Sequence, residues 1–180
     1  LHDAHPPWLL CLKMLSRRYI IAERVVLPHR VSYSIEPIGI RTPYAESFTS
    51  YIARLAMAHC VTPNDLFMQF LWQQMGQTFR TADGTIAEKD HRRMRRIFRD
   101  SHALNGHTTK AKSWVNLISR LTGRKLDRLT FLPWAAVIAR RGLRRHERAW
   151  CPDCYTHDAR EEVILYDRLL WAVKAVQICP

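Results

Sequence analysis

Three cysteines have the spacing that points most directly to chemistry. Cys151 and Cys154 are separated by Pro152-Asp153, and Cys179 follows 25 positions after Cys154. Two thiolates two residues apart can grip one tetrahedral ion at ~2.3 Å each, and Zn2+ selects such soft ligands. The turn through Pro152 aims both sulfurs at one point, and Cys179 supplies a third. A structural zinc site takes four ligands. His157 and His146 are candidates to complete the set, although each reads better as an ordinary surface histidine. A redox role for Cys151 and Cys154 is disfavoured because no βαβ pattern surrounds them. An open, catalytic zinc is disfavoured as well, since no Glu or His stands in a general-base motif such as H-E-x-x-H.

Arginine carries the second signal. Lys and Arg number 28 against 16 Asp and Glu, a formal charge of +12 with a pI near 10.0. Such an excess favours an anionic partner, with nucleic acid first, although a basic domain without a specific polyanion has the same composition. One dense run spans Arg92, Arg93, Arg95, Arg96 and Arg99, and another spans Arg140, Arg141, Arg144, Arg145 and Arg148. Arginines that neutralise phosphates release counterions. Arg92, Arg93, Arg96, Arg140, Arg141, Arg144 and Arg145 are therefore the candidate nucleic-acid contacts. The bland alternative is a solvated connector.

Helices must position these residues. Thr42-Pro43 offers an N-cap followed by proline at the first helical position. Phe48, Ile52, Leu55, Ala56 and His59 then recur at helical spacing and give one apolar face. Cys60-Val61 interrupts the pattern, and Thr62-Pro63-Asn64-Asp65 restarts it with a capping threonine and an early carboxylate. Leu66, Phe70, Leu71 and Met75 form the next apolar stripe. The result is a helix, a tight turn and a second helix, with Cys60 where a glycine is usual.

Trp114, Leu117, Ile118 and Leu121 form a further helix that stops at Thr122-Gly123. Leu126, Leu129 and Leu132 extend the pattern to Pro133, as a second use of the same device. Two short strands, around Val163-Ile164-Leu165-Tyr166 and around Trp171, Val173, Val176 and Ile178, would return Cys179 to the cysteine pair. The fold expected is mainly α: two helix-turn-helix-like helical pairs, then a small, truncated zinc-ribbon-like α+β element. The expected divisions are an irregular lead-in over 1–40, a helical domain over 41–133, a basic linker or short helix over 134–148 and a zinc knuckle over 149–180.

No apolar run approaches the ~20 residues needed to cross a bilayer. The stretch from Trp8 to Leu15 is broken by Lys13 and lacks a secretory cleavage site. Five cysteines, an odd number, fit metal binding in a reducing compartment better than a disulfide framework. A cytoplasmic location, with no membrane partner, is the expectation.

Residues 43–180 also resemble a known family. Glu46-Ser47-Phe48-Thr49-Ser50-Tyr51-Ile52-Ala53-Arg54-Leu55-Ala56 is similar to the opening motif of the TniQ domain. Leu121-Thr122-Gly123 with Leu129-Thr130 resembles its second helical motif. Trp150 through Cys154, then Tyr166, Leu169-Leu170-Trp171 and Cys179-Pro180 resemble its zinc-binding end. The resemblance implies an N-terminal fragment that binds Zn2+ through Cys151, Cys154 and Cys179. The fourth ligand would be a histidine lying beyond Pro180. It further implies a non-catalytic accessory protein of DNA transposition, linking target recognition to an AAA+ ATPase. Recognition would come through DNA or a CRISPR effector complex, and several members of the family form homodimers. Within the motif, Glu46 and Arg54 read as a helix-start carboxylate and its ion pair. Ser47 and Ser50, without a partnered histidine, read as capping or packing residues. The alternative function is a helix-turn-helix and zinc DNA-binding transcription regulator; a zinc hydrolase is a third.

Overall fold

The computed structural model describes residues 34–66, 101–139, 141–161, 163–177 and 179. Most of the expected lead-in, the stripe through Phe70, Leu71 and Met75, and the run from Arg92 to Arg99 lie outside these residues. So do Arg140, Ile178 and Pro180.

The first helix, α1, is Phe48–Ala58. It does not begin at Thr42-Pro43, which instead lies in a turn: the Thr42 N–H and hydroxyl both donate to Gly39 O. The N-cap is Ser47, whose side chain accepts from Ser50 N at 3.2 Å. A second cap arrives from far along the chain, as Asn105 Oδ1 accepts from Thr49 N at 3.0 Å. The apolar face is buried as the spacing predicts, at Phe48, Ile52, Leu55 and Ala56.

Cys60 ends the helix in the left-handed region, at φ 54°. Cys60 N donates to Met57 O and Val61 N to Ala56 O, the paired bonds of a Schellman stop. The thiol-bearing residue thus does a glycine's job. Thr62 then caps α2, Pro63–Leu66: its Oγ1 accepts from Asp65 N at 3.1 Å and donates to Asp65 Oδ2 at 2.7 Å.

Helix α3, Thr109–Thr122, is capped by Thr108, whose side chain accepts from Ala111 N. It stops at Gly123, whose φ of 69° suits a residue with no Cβ. Its face of Ala111, Trp114, Val115 and Ile118 packs into one core with Phe48, Tyr51, Ile52 and Leu55 of α1, Leu66 of α2, Leu104, Leu126 and Leu129.

The second expected pair has its first helix, α3, but the helix expected after Gly123 is replaced by two 3-10 turns, Asp127–Leu129 and Leu132–Trp134. The leucines at 126, 129 and 132 recur every third residue, which is the 3-10 period rather than 3.6. Thr130 separates the turns in an extended conformation, its hydroxyl bonded to Asp127 O at 2.7 Å and accepting from Leu132 N.

The cysteine pair opens helix α4, Pro152–Arg160. Pro152 sits at the helix start, where a missing N–H costs nothing, and Asp153 lies near the positive end of the dipole. Beyond it, residues 163–167 run without regular structure into a 3-10 turn, Leu169–Ala172. No zinc-ribbon hairpin forms among the described residues, only isolated antiparallel bridges, Glu46 to Arg168 and Arg144 to Val173. Residues 167–169 bond to the segment around the start of α1, and residues 172–174 bond to residues 143–145. Ser47 N donates to Asp167 O at 2.8 Å and Leu169 N to Ala45 O at 2.7 Å. Arg145 N reaches Ala172 O at 2.9 Å, and Lys174 N reaches Leu143 O at 2.7 Å. Among the described residues, no helix is long and apolar enough to cross a membrane.

Candidate metal centre

Cys151 is the N-cap of α4 and Cys154 stands in its first turn, so the helix start sets the separation of their sulfurs. Cys179 arrives from the far end of the tail. All three Sγ atoms lie within 4.8 Å of one another, and Cys154 Sγ and Cys179 Sγ are 3.3 Å apart. All three are free thiols, since a disulfide would require ~2.05 Å. Thiolates sharing one tetrahedral ion with ~2.3 Å bonds stand ~3.8 Å apart. The three sulfurs therefore match a single metal ion with little rearrangement. Among the described residues no His, Asp or Glu joins the cluster, and neither His146 nor His157 belongs to it.

The surroundings treat the sulfurs unequally. Hydrogen bonding from the backbone N–H of Cys154, at the start of α4, holds the Cys151 thiol below its usual range. Burial pushes the Cys154 thiol up to about 12, with the neighbouring sulfurs adding to the rise and the positive charge of Arg168 opposing it. A cation at the centre would invert this arrangement, because metal coordination deprotonates a thiol outright.

An aromatic and ionic frame supports the cluster. Tyr155 stacks on Trp150 at 5.7 Å and meets Trp171 edge-on at 5.4 Å. Its hydroxyl donates to Asp167 Oδ1, and Arg148 grips the same carboxylate with two hydrogen bonds of 2.9 Å. Burial and the Asp167 charge together raise the Tyr155 phenol to about 12. Deeper in, Arg168 Nη2 donates to Asp158 Oδ1 at 2.8 Å, a pair with both side chains only 6% exposed. Sequence reasoning missed Asp158, Asp167 and Arg168; the one available signal was the four-residue step from Cys154 to Asp158.

The candidate phosphate contacts have mixed fates. Arg92, Arg93, Arg96 and Arg140 lie outside the described residues. Arg141 is exposed. Arg144 is half-buried, and burial lowers its guanidinium from the usual value. Arg145 is half-buried too, its guanidinium donating to the carbonyls of Val173 and Val176 in the tail that leads to Cys179. Glu46 and Arg54 form the expected pair at 2.6 Å, with Glu46 buried. Burial pushes the Glu46 carboxyl up, and Arg54 together with the Ile38 N–H pulls it only part of the way back.

A family model described as TniQ matches residues 37–180. No curated protein matches the chain.

Proposed function

The chain belongs to the TniQ family, which is associated with transposition, and from that premise we propose that it is a non-catalytic accessory protein of DNA transposition. In this reading it links target recognition, by DNA or by a CRISPR effector complex, to an AAA+ transposition regulator. Its tail is held by a structural Zn2+ bound through Cys151, Cys154 and Cys179. The observation that carries the reading is the convergence of three sulfurs at the end of the matched region. The ion would act as a staple that fixes the tail, and its chemistry is confined to coordination. The residues of the chain do the rest: α4 presents two ligands, Arg145 holds the backbone before the third, and exposed arginines such as Arg141 meet phosphate.

The test is reconstitution with the AAA+ regulator and transposase of the same element. The chain should co-sediment with the ATPase and raise targeted insertion while joining no DNA ends by itself. Cys154→Ser should abolish both effects. Strand joining by the chain alone, or full targeting without it, would refute the proposal. The transcription-regulator alternative predicts a defined footprint on random-sequence DNA, whereas an adaptor alone is close to sequence-blind.

A further inference from the structure

Asp158 lies one helical turn beyond Cys154 on α4, so the two side chains share a face. From that face Asp158 meets Arg168 at 2.8 Å. The Arg168 guanidinium lies over three rings, 4.8 Å from the centre of Tyr166, 5.2 Å from Trp171 and 5.8 Å from Tyr44. Its backbone makes the isolated bridge to Glu46. Trp171 belongs to the 3-10 turn from which the chain runs on to Cys179. One side chain therefore touches the helix that carries Cys154, the turn that leads to Cys179, and the segment that precedes α1.

This pair is poorly built for stability alone. Taking two charges out of water costs several kcal/mol per ion, and the attraction returns it only when the remaining polar atoms are satisfied. Here Arg168 Nε, Arg168 Nη1 and Asp158 Oδ2 are buried without a hydrogen-bond partner. What the pair supplies is a fixed relation between the two arms of the cysteine cluster.

We propose that Arg168 is a positioning residue of the metal centre: through Asp158 and the ring of Trp171 it holds Cys154 and Cys179 in register for a shared ion. The inference rests on reading the three cysteines as ligands. Partners outside a coordination shell commonly carry 10–100-fold of metal affinity, so an effect of about that size is expected.

The experiment titrates Co2+, as an optical substitute for Zn2+, into the full chain and into Arg168→Met and Arg168→Lys. Wild type should develop the thiolate-to-cobalt charge-transfer absorption. Arg168→Met should bind about 10-fold more weakly or worse, with that band moved to lower energy, because loss of the nearby cation raises the sulfur donor level. Arg168→Lys should restore the band position but not the affinity, since an ammonium lacks the planar fork and stacking face. Amide exchange in α3 should not change. If Arg168→Met unfolds α3, Asp158→Asn makes the same comparison and should also weaken binding. Wild-type affinity and band position in the folded Arg168→Met protein, or wild-type affinity in Asp158→Asn where that stands in, would overturn the inference while leaving the ligand assignment standing. No cobalt binding by wild type would overturn the ligand assignment, and the inference with it.

Discussion

At the scale of single residues, buried charges carry the sharpest expectations. Glu46 is buried beside Arg54 at 2.6 Å, so removing the cation strands a carboxylate in the interior. Arg54→Met should cost about 3 kcal/mol in urea denaturation, because breaking a buried pair is dearer than never building it. Tyr155 sets an alkaline limit. Its phenol is raised to about 12 and donates to Asp167, so the folded state favours the neutral form. An acid whose folded value is raised keeps its full contribution below the unfolded value of about 10 and loses it as pH climbs through about 12. Tyr155→Phe should flatten the stability–pH curve between those limits; an unchanged alkaline limb would contradict the assignment. The converging sulfurs were readable from residue type and spacing, and the Glu46–Arg54 pair from its place in the family motif. Asp158 and Arg168 were not, because a buried ion pair between segments ten residues apart leaves no periodic trace.

Elements were legible where local chemistry decides them. The stops at Cys60 and Gly123 and the cap at Thr62 are backbone requirements written into single residues. Since Cys60 is exposed at φ 54°, Cys60→Gly should gain up to about 1 kcal/mol, and Cys60→Val should lose at least as much. Gly123→Ala should cost about 1 kcal/mol in thermal unfolding. A Cβ there meets nothing within 4 Å, so the penalty is torsional alone. Elements decided by distant partners were misread. The start of α1 is set at Ser47, where Asn105 supplies a second acceptor from 56 residues away, and not at Thr42-Pro43. The leucines after Gly123 continue with a period of three, which a helical reading at 3.6 tolerates over so short a run. The second tail strand failed for the same reason: Ala172 and Lys174 find their backbone partners at Arg145 and Leu143.

For the molecule as a whole, charge sets the expectation. If the exposed arginines meet phosphate, DNA retention should fall by orders of magnitude between 50 and 200 mM salt, scaling with the number of phosphates neutralised. Arg141→Ala should reduce the salt slope by about one contact. Arg145→Ala should act differently, since its guanidinium holds the carbonyls of Val173 and Val176. Its first effect should be weaker metal retention, read by the rate of chelator-driven release. Overall composition announced the positive charge, but not which arginines are committed inside the fold.

The docking of the tail against the start of α1 joins parts of the chain that are far apart in sequence. Asp167 N bonds to Ser50 Oγ across 117 residues. Closing so long a loop sacrifices chain entropy before any contact rewards it, so this seam belongs to the late stages of folding. During synthesis the first two sulfurs emerge ahead of the third. An ion bound at that stage would be held by two ligands until Cys179 had joined them.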